Sequence, residues 1–253
     1  MGKHAFSLKT IYLAALTAVF AVSFFAFVAF DLYSQQRQTE QAMLEEARTF
    51  AREMDAVWQF MDNSQSIINN SSSGGYEFKG LHCSVVGKSV GRLFSAGSDY
   101  PIRYTNFDPR SEQDIPDEFE TKALEAFNAD RSVTEYYGVA PFDGEDRFRY
   151  LQALEVDDSC LECHGEPVGE LDITDHAKEG WTLESVGGAI SIVIPLDQQQ
   201  AAMRGNVIRD MAYFLLITVF IGLVILVVTT VFVLRPLGGM HAAFGELKQG
   251  RLG

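Results

Sequence analysis

Two stretches of this chain carry no charged residue: 11–30, "IYLAALTAVFAVSFFAFVAF", and 211–234, "MAYFLLITVFIGLVILVVTTVFVL". Each is about as long as a helix must be to cross the hydrocarbon of a bilayer, so the pattern predicts two membrane-spanning helices. The first is long for a signal peptide, and no A-x-A cleavage site follows it, so it is expected to stay as an anchor. Beyond it, 34–70 has no Gly or Pro, and Ala47, Phe50, Met54, Val57 and Met61 recur at spacings of three and four. That periodicity predicts a long helix with an apolar stripe, used for core packing or for pairing with a second copy.

"NNSSSGGYEFKG" (69–80) breaks the helix with turn residues. Helical spacing resumes over 81–97, with Cys83, Val86, Val90, Leu93 and Phe94 expected on one face. A short strand is expected at 102–106 and a short acidic helix at 117–128. Strands follow at 132–139 and 146–156, with a Gly/Asp break between them that suits an antiparallel pair. The β-rich run "VGGAISIVIPL" (186–196) is the strongest strand signal. Together these predict an α+β antiparallel-sheet domain with a long N-terminal helix, flanked by two transmembrane helices.

Charge adds an orientation. Lys3 and Lys9 precede the first span, and Arg235, Lys248 and Arg251 follow the second. Under the positive-inside rule both termini are cytoplasmic. The layout is then 1–10 inside, 11–30 spanning, 31–210 outside, 211–234 spanning and 235–253 inside, in the inner membrane of a bacterium. Most of the net charge of −14 falls in the outer segment, which argues against a nucleic-acid partner.

The chemistry is concentrated in "DDSCLECHGE" (157–166). Cys160-Leu161-Glu162-Cys163-His164 is a C-x-x-C-H run, the attachment pattern of covalent c-type haem. Cys160 and Cys163 would tether the macrocycle and His164 would ligate the iron. The alternatives are a redox C-x-x-C or half of a zinc site. The zinc reading wants a second C-x-x-C, and the redox reading a βαβ context; neither is in the chain. An outer location agrees with haem attachment, which takes place on that side of the membrane. For the sixth iron position the residues alone leave His82, Cys83, His176 and the methionines open. His4 and His241 fall on the cytoplasmic side.

Four stretches, "LHCSVVGKSVG", "IRYTNFDPRSEQDIPDEFE", "CLECHG" and "HAKEGWTLESVGGAISIVIP", together resemble a known family. It is the single-haem, PAS-like extracytoplasmic sensor domain of bacterial membrane receptors, long catalogued as a domain of unknown function. The resemblance covers roughly 41–196. It implies that Cys83 is the distal iron ligand opposite His164. Where the family carries an R-N-P-x-N-x-P-like run, this chain has "NFDPRSEQDIP". The tail "RPLGGMHAAFGELKQGRLG" resembles the opening of a HAMP linker. The expected function is a non-enzymatic sensor of redox state or of a small diatomic ligand. It would work as a homodimer and hand its signal to a downstream protein. The alternative is a membrane-anchored electron-transfer cytochrome.

Overall fold

The structure, a computed structural model, describes residues 8–238. In chain order its elements are α1 (Leu8–Asn63), α2 (Gln65–Ile68), α3 (Cys83–Ala96), β1 (Ile102–Thr105), α4 (Glu118–Ala129), β2 (Glu135–Phe142), β3 (Glu145–Glu155), α5 (Asp158–His164), β4 (Val186–Ile194) and α6 (Leu196–Thr229). A π-helical turn, Thr230–Leu234, extends α6. Lys3, His4, His241 and all but the first residues of the HAMP-like tail lie outside the described residues.

The chain divides into two units, Thr39–Gln200 and Met1–Gln38 with Ala201–Gly253. In the second, α1 and α6 run antiparallel. Tyr12 hydrogen-bonds Thr229 (3.0 Å), Phe27 stacks on Phe214 (4.4 Å between centroids), and Gln35 donates to Asp210 (3.3 Å). Both helices are long and apolar enough to cross a membrane, with windows of mean hydropathy 2.4 and 3.0.

In Thr39–Gln200 the sheet is antiparallel throughout, in the order β1-β4-β3-β2. The expected strands are present, and β2 and β3 meet in a two-residue turn at Asp143-Gly144. Both turn residues have positive φ (51° and 81°), the geometry that matches the twist of a hairpin. β4 lies between two strands and is covered on both faces, so every residue of it except Gly187 is buried. Its sequence therefore reads as an unbroken apolar run, without the alternation of a half-exposed strand.

Side-chain alternation sends Ile102, Tyr104, Phe148, Tyr150, Ile190, Ile192 and Ile194 to one face. There they pack against Met43, Leu44, Ala47, Ala51 and Met54 of α1, with Phe50, Trp58, Val90 and Phe94 at the margin. Ala47, Phe50 and Met54 of the α1 stripe are thus packed within this unit. On the opposite face Ala123, Leu124 and Phe127 of α4 pack on Leu151, Val186 and Ala189. A capping box between Asp117 and Glu120 starts α4. The same two carboxylates meet Arg149, only 1% exposed, at 2.7 and 3.3 Å, and Arg103 reaches Glu120 at 3.1 Å. The buried pair Arg149 and Glu120 is thus neutralised, and the ion pairs hold α4 in register on the sheet.

Three local expectations differ. α1 ends at Asn63, and 65–68 form a separate turn, since Ser64 accepts the backbone N–H groups of Ile67 and Ile68. β1 stops at Thr105, one residue short of the expected end. On α3, Leu93 is 75% exposed, and the buried residues are Gly87 and Gly91. The helix lies so close to β1 that only glycine fits: a Cβ on Gly87 would sit 2.9 Å from Tyr104 Oη and 3.0 Å from Trp58 Cε3. Apolar side chains such as Leu93 are displaced from that seam.

Gly87→Ala tests the close approach. Alanine would raise helix propensity by about 1 kcal/mol, yet overpacking should leave the unit less stable by about 1–3 kcal/mol. The readout is the denaturant midpoint of tryptophan fluorescence, because both tryptophans, Trp58 and Trp181, lie in Thr39–Gln200.

Candidate functional site

The C-x-x-C-H run forms α5, a helix of seven residues. Asp157 caps it, accepting from the Cys160 N–H at 3.1 Å, so the tether region begins at a defined point. Cys160 and Cys163, one turn apart, share a side of the helix. Both are partly buried free thiols. Burial pushes Cys160 up to about 11 and raises Cys163 as well. A redox-active C-x-x-C needs the opposite, a thiol shifted down toward the thiolate. Among the described residues no group of three or more His, Cys, Asp and Glu could hold a bare metal ion, which gives the zinc reading no support either.

His164 ends α5 and is held from two directions. Its ring stacks on Trp181 at 4.1 Å and 11°, and the Trp181 N–H donates to the His164 carbonyl at 2.7 Å. Its Nδ1 lies 2.7 Å from Glu179 Oε2. Burial opposes ionisation of Glu179, but hydrogen bonds from Arg110 and His164 outweigh it and hold the carboxyl below its usual range. An ionised carboxylate only accepts, so Nδ1 carries the proton. Nε2, which makes no hydrogen bond among the described residues, keeps its lone pair. Burial also lowers His164 below an ordinary histidine, against the pull of Glu179. The imidazole is therefore neutral, oriented and free to ligate through one nitrogen.

Arg110 organises this arrangement. It donates to Glu179 through Nε (2.6 Å) and Nη2 (2.9 Å), to Asp172 through Nη1 (2.7 Å) and to the Cys163 carbonyl through Nη2 (2.9 Å). Asp172 is held well below the usual carboxylate range. Burial would raise it, but bonds from Thr174, Arg110 and the His176 N–H prevail. Sequence reasoning missed Arg110, Glu179 and Trp181. Arg110 lies in "NFDPRSEQDIP", the run that departs from the family pattern. Glu179 and Trp181 lie in a stretch quoted above for its resemblance, but nothing in the spacing of a lone acid and aromatic ties them to a motif fifteen residues away.

The sixth-ligand candidates separate in space. Cys83 opens α3 and comes near the motif: burial pushes its thiol up to about 12, and Asp62 and Cys160 are close enough to add to the shift. His82, the residue before α3, shares a hydrogen bond with Ser84 (2.9 Å). Burial lowers its pKa, and Lys88, Arg110 and His164 contribute. Cys83 and His82 thus both border the site. His176 is exposed and tied to Thr174 in its own turn, and Met43 and Met54 are core residues.

Replacing Arg110 with Ala should destabilise Thr39–Gln200 by about 2–4 kcal/mol at neutral pH, because Asp172 would be left buried without its cation. The pH dependence has a definite sign. Asp172 and Glu179 have depressed folded-state pKa values, so their contribution is present above the unfolded values near 3.8 and 4.5 and is lost as pH falls. Tryptophan-monitored unfolding at pH 7 and pH 3 should show a steeper acid loss in the wild type than in Arg110→Ala.

No curated protein matches this chain. Among solved structures, that of the cyanobacterial haem protein Tll0287 aligns at 18% identity and a TM-score of 0.45, covering 61% of this chain and 95% of that one. The family described as Tll0287-like matches residues 36–195, which is most of the stretch between the two apolar runs and more than half of the chain. This protein belongs to the Tll0287-like family.

Proposed function

We propose that this protein is a membrane-anchored sensor that holds one covalent c-type haem and reports redox state or a small diatomic ligand across the membrane. The observation that carries this reading is His164, with Nδ1 engaged by Glu179 and Nε2 left free, next to two thiols one turn apart on a capped helix. That donor set fits a tethered haem: Cys160 and Cys163 for the vinyl groups and His164 Nε2 for the iron. Family membership supports it, since Tll0287 is a haem protein. Bound there, haem would supply a one-electron iron centre with an exchangeable axial position.

Cys83 is the distal ligand in this proposal. Placed at the first position of α3, it faces the partial positive charge of the helix N-terminus, which favours a thiolate over a neutral donor once the sulfur has a partner. Gain or loss of that bond would act directly on α3, which packs through its glycine seam on β1 and Trp58. A shift of α3 is thereby offered to the core it shares with α1. The antiparallel order β1-β4-β3-β2 supports a PAS-like domain, the two apolar helices support a two-pass chain, and the basic residues beyond the spans would leave that domain outside. The proposed homodimer pairs through the 34–70 stretch and through the spans. A HAMP-like tail passing the signal to a separate protein completes the proposal, with no catalytic role for any residue.

The purified full-length protein should retain haem through acid-acetone extraction, and Cys160→Ala combined with Cys163→Ala should abolish that retention. His164→Ala should lose the native Soret band while the haem stays attached. Haem that extracts freely from the wild type would end the reading.

Cys83→Ala should raise the midpoint potential and admit carbon monoxide, because a thiolate stabilises ferric iron more than ferrous. A variant that keeps a low-spin ferric spectrum and its original potential would give the position to His82 or a methionine. That result would favour the electron-transfer cytochrome.

A further inference from the structure

Trp181 joins His164 to the sheet through three contacts. Its ring lies flat on the imidazole, 4.1 Å between centroids and 11° between planes. Its N–H donates to the His164 carbonyl at 2.7 Å. Its six-membered ring reaches the head of β4, where a Cβ on Gly187 would stand 3.5 Å from Trp181 Cζ3 and 3.4 Å from Val156 Cγ2. Glu179 holds the imidazole at one edge, through Nδ1. A flat stack restrains the ring across its face, the direction that a single in-plane hydrogen bond leaves free. With ring and main chain both engaged, a displacement of His164 is passed to Trp181.

The place where the indole meets the sheet can yield. β3 and β4 change register between Ala153 and Glu155, so an irregularity of the ladder lies beside the head of β4. Gly188 has a φ of 121°, and a Cβ there would collide with the Thr105 carbonyl. Gly187 and Gly188 in succession give this stretch a backbone freedom that 189–194, without glycine, lacks.

We propose that Trp181 is the positioning residue that couples the proximal ligand to the sheet, so that a displacement of His164 reaches the head of β4 through the indole. The proposal deepens the reading of His164 as the iron ligand and rests on it. Closely packed rings pass a small displacement on, because an interior at native density has little room to absorb it. β4 lies between β1 and β3, and the chain continues from it through Pro195 into α6. This route therefore leaves the site on the side of His164, apart from α3.

Hydrogen–deuterium exchange of the full-length protein, compared between its ferric and ferrous states, tests the coupling. In the wild type the amides of Gly187 and Gly188 should exchange at different rates in the two states. Trp181→Leu should lose that difference, and Trp181→Phe, which keeps a flat ring, should retain it. A difference that survives in Trp181→Leu would overturn the proposal, since another route would then carry the shift. Should Trp181→Leu fail to fold, the wild type and Trp181→Phe still decide. Identical exchange at Gly187 and Gly188 in the two states of either protein would overturn the coupling while leaving the haem reading in place. A wild-type protein without His164-ligated haem would overturn both readings, and the comparison with His164→Ala shows this before any exchange is measured.

Discussion

The guanidinium of Arg110 is the contact on which the site depends. It spans two carboxylates and a main-chain carbonyl, and each partner belongs to a different part of the C-x-x-C-H region: Glu179 to the strap that carries Trp181, Asp172 to the intervening turn, and the carbonyl to Cys163 on α5. A planar fork with five donors can make these bonds at once; a lysine at this position would satisfy fewer of them. The bonds also determine the chemistry. With Glu179 ionised, His164 must carry its proton on Nδ1, so the choice of ligating nitrogen is settled by a residue in another loop. His164 would otherwise stand at the frayed end of a seven-residue helix with nothing to select its tautomer.

A second constraint acts from the sheet. β4 is covered on both faces, by α1 on one and by α4 on the other. α3 reaches the sheet at its β1 edge, and it does so by giving up side chains at Gly87 and Gly91. The same close approach that sets the position of α3 carries Cys83 toward the motif and leaves the Tyr104 hydroxyl without a hydrogen-bond partner among the described residues. Packing and site chemistry are in this way two consequences of one seam. The group Arg149, Arg103, Asp117 and Glu120 has a different role, since its ion pairs fix α4 on the far face of the sheet.

Much of this was legible along the chain. Periodicity over 34–70 gave the long helix and its buried stripe, with Ala47 and Met54 in the core as their spacing required. β-rich runs located the strands, Asp143-Gly144 their hairpin, and Asp117 with Glu120 the start of α4. On α3 the reading held for Val90 and Phe94, which pack on the core, and failed for Leu93, which is exposed. Helical spacing reports which side chains share a face, but it cannot tell how near a neighbouring strand comes, and distance made glycine the buried residue there. It failed again on the partners of His164, because Arg110, Glu179 and Trp181 come from segments whose contact depends on the course of two irregular loops.

Sequence alone determined what is encoded within a helical turn or a strand's alternation: two apolar helices, an α+β order of elements, and a local C-x-x-C-H run. These rest on interactions between near neighbours, so a short window contains the physics. Only the tertiary structure decided that the partly buried Cys83 and His82 lie near the motif, that the His176 side chain is exposed and tied to Thr174, and that the proton of His164 sits on Nδ1. Each of those depends on charges and donors brought together over long sequence distances. Their strength is set by burial, a property that no residue possesses until the chain has closed around it.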